Sequence, residues 1–282
     1  MKKILLMVIF CVFVTVVGVD VNASANNPFL INNNNIEMSE VEYNNLLNLG
    51  FTNSEILNMT IGEFNNNKDL IGEVVSVNSN YYDINNNLIN FEDGIVGGNL
   101  VGLYGSFNGY IETEYKKVTT TIVSVNNYYR YKVTTEWKKM PSTRSNDIIG
   151  IGIESSDVYI ISDITFQQNY CYTNGSCSSS QISIPKKSSS GGSAIFNLPT
   201  SSSINSLSSY LYFTVNKNTT GTITELNAYG DYSHATKTVS SSSVSGHSIH
   251  NGGIQIPSSV YSKYDAIPTS NARWTVTWWC YC

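Results

Sequence analysis

The chain has 282 residues, only 13% of them charged, with 16 basic against 21 acidic side chains and a formal net charge of −5. A mildly acidic balance with no Lys/Arg patch argues against nucleic acid and anionic membrane surfaces as electrostatically captured partners. Asn, Ser, Thr and Tyr abound instead, a polar uncharged character common on extracellular proteins.

Residues 1–25 read as a secretory signal. Lys2 and Lys3 form the basic start, residues 4–19 an almost unbroken apolar run, and Ala23, Ser24 and Ala25 offer small residues to a peptidase. The run is short for a membrane span of about 20 residues, and no basic stop-transfer cluster follows. Cys11 sits mid-run behind Phe10, where lipidation would want a small residue. Cleavage after Ala25 leaves 14 basic and 20 acidic side chains, a net charge of −6.

Residues 26–38 contain the run Asn32, Asn33, Asn34, Asn35 and few apolar residues, and read as a flexible spacer. Residues 39–70 differ. Ser39 with Glu42, Thr52 with Glu55, and Thr60 with Glu63 each have the S/T-x-x-E form of a capping box, in which hydroxyl and carboxylate satisfy orphan amides at a helix start. Three short helices are expected, too short to persist alone and therefore docked on one another or on the remaining chain. Residues 39–64 also match the pattern S-x-x-E-Y-x-x-L-x-x-L-G-F-[ST]-x-x-E-I-x-x-M-[TS]-x-x-E-F. In this the segment resembles an N-terminal segment recurring in uncharacterised secreted proteins of Gram-positive bacteria. The resemblance implies secretion and a small helical leader-like module, in some cases on a precursor whose C-terminal part is released; it carries no catalytic residue.

Residues 71–282 read as the β-rich domain. The glycine-rich run 94–109 lacks the Lys of a phosphate loop and the G-x-S-x-G of a nucleophile elbow, so it reads as a turn-rich connection or bulged edge strand. Residues 111–166 are dense in Val, Ile, Thr, Tyr and Trp and alternate apolar with polar, as strands do with one face buried and one wet. Strand signals cover 123–137, break near Pro141, resume at 148–153 and 158–164, and recur at 209–215, 221–229, 260–264 and 273–279. The fold class expected is mainly β: an antiparallel, sandwich-like domain preceded by a signal peptide and a short helical module.

Four cysteines survive signal removal, Cys171, Cys177, Cys280 and Cys282. In an exported chain an even number points to disulfides, and four allow three pairings. Bridging Cys280 to Cys282 across one residue would be strained, so the two pairings that staple the C-terminal strand to the 171–177 loop are preferred. A zinc site would need C-x-C with C-x5-C, a poor match to structural zinc spacing. His234, His247 and His250 lie in a Gly/Ser-rich stretch without H-E-x-x-H and read as residues of a mobile surface loop rather than metal ligands. Ser, His and Asp are plentiful enough that no catalytic trio stands out, and the carboxylate pairs Glu112/Glu114 and Glu154/Asp157 are uninformative without geometry. No catalytic residue, cofactor or metal is assigned.

Aromatic residues offer the binding candidates: Tyr129, Trp137, Trp279 and Tyr281 would serve if they face solvent, where Tyr and Trp stack on sugars or anchor proteins. Residues 236–256 resemble the Ser/Thr-rich hairpins of secreted pore-forming toxins, but Val239, Val244, Ile249, Ile254 and Ile256 alternate poorly, which favours a soluble loop over membrane insertion. The leading expectation is a secreted, non-enzymatic binding protein whose partner is an unknown surface ligand (glycan, cell wall or protein). A toxin-like or bacteriocin-like protein comes second and an extracellular hydrolase third.

Overall fold

The computed structural model describes residues 30–89, 115–154, 156–218, 225–265 and 267–275. The signal region, the glycine-rich run 94–109 and the four C-terminal candidates Trp279, Cys280, Tyr281 and Cys282 lie outside the described residues. Elements in chain order are β1 (Leu30–Ile31), β2 (Glu37–Met38), α1 (Glu40–Asn48), α2 (Asn53–Leu57), α3 (Ile61–Asn67), β3 (Gly72–Tyr82), β4 (Leu88–Ile89), β5 (Lys116–Val125) and β6 (Tyr128–Trp137). Then follow β7 (Asn146–Ile153), β8 (Val158–Ile160), β9 (Thr165–Tyr172), β10 (Cys177–Ser180), β11 (Ile184–Ser188), β12 (Gly191–Asn197), β13 (Ile204–Lys217), β14 (Glu225–Ser233), α4 (Ser241–Val244), β15 (Ser248–His250), β16 (Gly253–Gln255) and β17 (Ser270–Thr275). Among the described residues no helix is long and apolar enough to cross a membrane.

Two antiparallel sheets pack face to face. The larger runs β10-β9-β13-β6-β5-β3-β4, with β8 also on β13; the smaller runs β11-β12-β7-β14-β17. Alternation sends Tyr131, Val133, Trp137, Leu211 and Phe213 from the large sheet against Ile149, Ile151, Phe196, Ala228 and Tyr232 from the small one. Trp137, expected as a possible exposed aromatic, is buried in this core, where its indole N–H donates to Tyr232 Oη at 3.2 Å.

The alternation of β6 is not apolar-in and wet-out. Arg130, Lys132 and Thr134 point to the other face, yet all three are buried, because the helical module covers that side. Two of the three expected capping boxes are complete, at Ser39/Glu42 and Thr52/Glu55. At the third, Thr60 accepts from the Glu63 amide, but the Glu63 carboxylate is diverted to the sheet, where Tyr210 donates to it. Glu55 serves both ends: it takes the Thr52 amide at 2.7 Å and meets Lys132 Nζ at 2.6 and 2.8 Å. Thr134 Oγ1 donates to the same carboxylate, and Lys132 also donates to the Gly50 carbonyl at 3.0 Å. Gly50, at φ 79°, ends α1 in a left-handed residue, with its N–H on Leu47 and that of Phe51 on Leu46. That turn aims Phe51 at the sheet, edge-on to Tyr210 and Tyr212.

The asparagine-rich stretch read as a spacer is ordered from Leu30 on. Asn32 is buried; its Nδ2 donates to the carbonyls of Ile56 and Met59, and its Oδ1 accepts from the amides of Asn34 and Ile36. The run is built to satisfy carbonyls left over at the end of α2, a task asparagine performs better than an apolar residue.

The expected soluble loop 236–256 is likewise structured. It forms α4, β15 and β16, and Val239 and Val244 pack with Ile148, Ile195, Ala235 and Val260 on the outer face of the small sheet. The β15–β16 hairpin lies so close on β7 that a Cβ at Gly152 would sit 1.9 Å from the His250 carbonyl oxygen. Gly152→Ala is therefore expected to lower stability by about 1–3 kcal/mol through forced separation of β7 from the hairpin, measurable by denaturant unfolding.

Burial pushes the Glu63 carboxyl up to about 7, with the hydroxyl of Tyr210 and the cations Lys132 and Arg130 opposing and Glu55 reinforcing. A raised carboxyl holds its proton in the folded state, so its contribution is full below the unfolded value near 4.5 and fades as pH rises through 7. Stability should fall from pH 6 to pH 8, and Glu63→Gln, an isostere of the protonated acid, should flatten that slope in thermal melts at the two pH values. An unchanged slope would refute the assignment.

Candidate functional site

Groups with the chemistry for catalysis are paired inside the molecule. Asp147, fully buried, accepts from Tyr232 Oη, from His234 Nδ1 at 2.9 Å and from the Ala235 amide at 2.9 Å. Lys116 Nζ is salt-bridged to Asp265, whose other oxygen accepts the His234 amide at 2.7 Å. Ser193 Oγ lies 2.7 Å from His247 Nε2, as a nucleophile lies to its base, but both residues are fully buried. His247 Nδ1 donates to the Val244 carbonyl at 3.0 Å, which leaves Nε2 as the acceptor for Ser193, and burial holds the imidazole below its ordinary pKa. His234 and His247 are thus core residues, not the surface-loop histidines expected; the Asp147 carboxylate and Ser193 hydroxyl they meet lie on strands distant in sequence, where no local pattern announces them. Glu154 accepts from Tyr229 Oη at 2.7 Å and lines a depression of about 350 Å³ with His250. Glu112 and Glu114 lie outside the described residues.

Of the binding aromatics, Tyr129 is half-buried with its ring 5.6 Å from that of Trp274, so it belongs to the margin of the core. The cysteine pairing is also corrected. Cys171 and Cys177 are bonded to each other rather than stapled to the C-terminal strand. They stand directly opposite across β9 and β10, 4.0 Å apart at Cα, because Asn174 and Gly175 (φ 85°) close a tight hairpin between them. Register, which spacing alone leaves open, decides the bond.

One concave surface combines an aromatic with an unspent polar group. Where β10 crosses to β11, the two sheets leave between their edges a groove of about 340 Å³, lined by Gln168, Tyr170, Ser180, Ile182, Asn197, Leu198, Pro199 and Thr200. Phe166, Gln168 and Tyr170 alternate onto the inter-sheet face of β9; Phe166 is core, and toward the hairpin the same face opens into the groove. Gln168 is only 3% exposed, yet its Nε2 has no hydrogen-bond partner among the described residues. An orphaned buried amide costs about 1–3 kcal/mol, so a fold selected for stability alone would place leucine there. Tyr170 is half-buried and packs edge-on against Tyr172 at 5.8 Å. Arg144 anchors the opposite wall through the carbonyls of Pro199 and Ser201. Ile182, 86% exposed, stands at the rim. None of these groove residues was singled out from sequence; a glutamine at a core-facing strand position was the available signal.

No protein-family model and no curated protein sequence matches the chain. Solved structures match parts of it. The C-terminal domain of the AgI/II polypeptide BspA from Streptococcus agalactiae is 5% identical, with a TM-score of 0.27, over 42% of this chain and 53% of that one. The pilus backbone RrgB from Streptococcus pneumoniae is 5% identical, with a TM-score of 0.28, over 38% of this chain and 25% of that one. The KRT10-binding region domain of the pneumococcal serine rich repeat protein PsrP is 12% identical, with a TM-score of 0.24, over 58% of this chain and 87% of that one. The matched region thus spans about half of the BspA domain. These neighbours are β-rich bacterial surface domains, and at such scores the likeness carries no argument about activity.

Non-reducing peptide mapping should recover Cys171 joined to Cys177, and replacing both with serine should lower stability by about 2 kcal/mol, the entropy of so short a closed loop. A bridge from either residue to Cys280 or Cys282 would overturn the assignment.

Proposed function

We propose that this is an exported, non-enzymatic binding protein that recognises a ligand at a cell envelope or neighbouring surface through the groove between β9–β10 and the end of β12. The observation that carries the reading is Gln168 Nε2, buried, without a hydrogen-bond partner among the described residues and beside Tyr170 in the groove. A polar group held at a cost to stability at a solvent-facing concavity is what a recognition site requires. The acid–base pairs that would serve a hydrolase, Ser193 with His247 and Asp147 with His234, are consumed in the core instead. Export is supported by the signal-like start and by a disulfide-closed hairpin, a feature that persists in oxidising compartments. Kinship of the helical module with secreted proteins of Gram-positive bacteria is part of the same proposal.

The test is adhesion of the labelled protein to isolated cell-wall sacculi and to immobilised extracellular-matrix proteins. Saturable binding is expected, reduced about tenfold by Tyr170→Ala, since an aromatic anchor is worth on the order of 1–2 kcal/mol at an interface. Ser193→Ala should leave it unchanged. Turnover of any bound substrate, lost on replacing a single Ser, His, Asp or Glu, would sink the non-enzymatic reading.

A further inference from the structure

We infer that the groove is a binding site for a neutral sugar, seated on Tyr170 and held by the Gln168 amide; this rests on the groove being the binding surface proposed above. The argument starts from strand register. Ser180 stands opposite Gln168, Gln168 opposite Ser209, and Ser209 opposite Thr135. Opposed residues share a face, so these four side chains form one polar row across β10, β9, β13 and β6, on the face that elsewhere sends Phe166, Leu211 and Val133 into the core. Exposure falls along the row from half-buried Ser180 at the rim to 3%, 1% and 0% at Gln168, Ser209 and Thr135.

Gln168 Nε2, Ser209 Oγ and Thr135 Oγ1 are all without a hydrogen-bond partner among the described residues. Although Ser209 is its cross-strand neighbour, Gln168 does not donate to it, and the amide is left for the groove it lines. Asn197, Ser180 and Thr200 add an amide and two hydroxyls around the same space. The hydroxyls both donate and accept, and each side-chain amide offers a donor and an acceptor, which matches the two roles of a sugar hydroxyl. No lining residue is charged. A phosphate, sulfate or carboxylate entering here would lose its hydration without gaining a countercharge, whereas a neutral polyol exchanges water hydrogen bonds for equivalent ones. Arg144, which reaches the Pro199 wall, already donates from Nη1 to two backbone carbonyls. Tyr170 supplies the remaining element, an aromatic ring propped by Tyr172 against which the apolar C–H face of a pyranose packs. An extended peptide, the other neutral candidate, would pair in the sheet plane with the free main chain of the edge strands β10 or β11, whereas the Gln168 amide stands on the inter-sheet face, out of that plane.

The experiment is a glycan microarray probed with the full chain, oxidised, carrying neutral oligosaccharides alongside their sialylated and sulfated counterparts, followed by titration of the best neutral sugar. Neutral sugars should bind, and Gln168→Leu should weaken the titrated affinity about tenfold or more. The same variant should melt at the wild-type temperature or higher, because it removes an orphaned polar group; a glutamine with a merely structural role would instead lower the melting temperature. Capture of acidic glycans alone, or unchanged affinity in Gln168→Leu, overturns the inference. If no glycan binds while Tyr170→Ala still weakens adhesion to sacculi or matrix proteins, the sugar is wrong and the groove stands. If Tyr170→Ala has no effect either, both fall.

Discussion

The buried pair of Glu55 and Lys132 sets the organisation of this molecule. Both side chains are about 1% exposed, and an ammonium at that depth is tolerable only with its charge matched and its hydrogens placed. Here the match is complete: carboxylate, the Thr134 hydroxyl and the Gly50 carbonyl surround Nζ. Because Glu55 also caps α2, the same carboxylate that starts a helix locates it on the sheet. The large sheet without the module would present Arg130, Lys132, Tyr210 and Tyr212 to water; the module without the sheet would hold three helices of nine, five and seven residues, each below the length that survives alone. Each stabilises the other through this contact.

Covering the large sheet on its outer face has a consequence on its inner one. Arg130, Lys132 and Thr134 point away from the small sheet, so the inter-sheet face carries the main apolar core together with the paired groups of Lys116, Asp265, Asp147, Tyr232 and Trp137. Against that background the row from Ser180 to Thr135 stands out as a set of polar groups where leucine or valine would pack better. Polar atoms without a partner among the described residues occur elsewhere in the sandwich too, at Tyr131 Oη and Arg130, but those of this row lead to a groove. The crossover from β10 to β11 places the end of that row at the surface, beside an aromatic ring, and turns an internal irregularity into a groove.

Much of the secondary structure was legible. Hydroxyl-to-glutamate spacing located all three helices, and β-branched, aromatic runs located the principal strands, because capping and pleating are short-range properties. The third capping box shows where local reading stops: Thr60 behaves as its spacing demands, but Glu63 answers to Tyr210, 147 residues away. Trp137 and the histidines 234 and 247 were misplaced for a related reason. Alternation says that neighbouring side chains face opposite ways; it does not say that a second layer covers the polar side, nor that a Ser/Gly-rich stretch packs as a third.

The sequence by itself determined that the chain is mainly antiparallel β with a capped helical module, that its net charge is mildly acidic, and that an Asn-Gly turn lies between two cysteines. Tertiary structure alone decided which cysteines pair, which carboxylates meet which lysines, and which polar side chains remain unspent. Gln168 illustrates the division. In the chain it is one glutamine among polar neighbours; only the pairing of β9 with β10 and β13, and the arrival of Asn197 and Thr200 from the opposite sheet, leave its Nε2 without a partner among the described residues at the edge of a core. Short-range chemistry is written along the chain, whereas satisfaction of a hydrogen bond depends on what distant strands bring beside it.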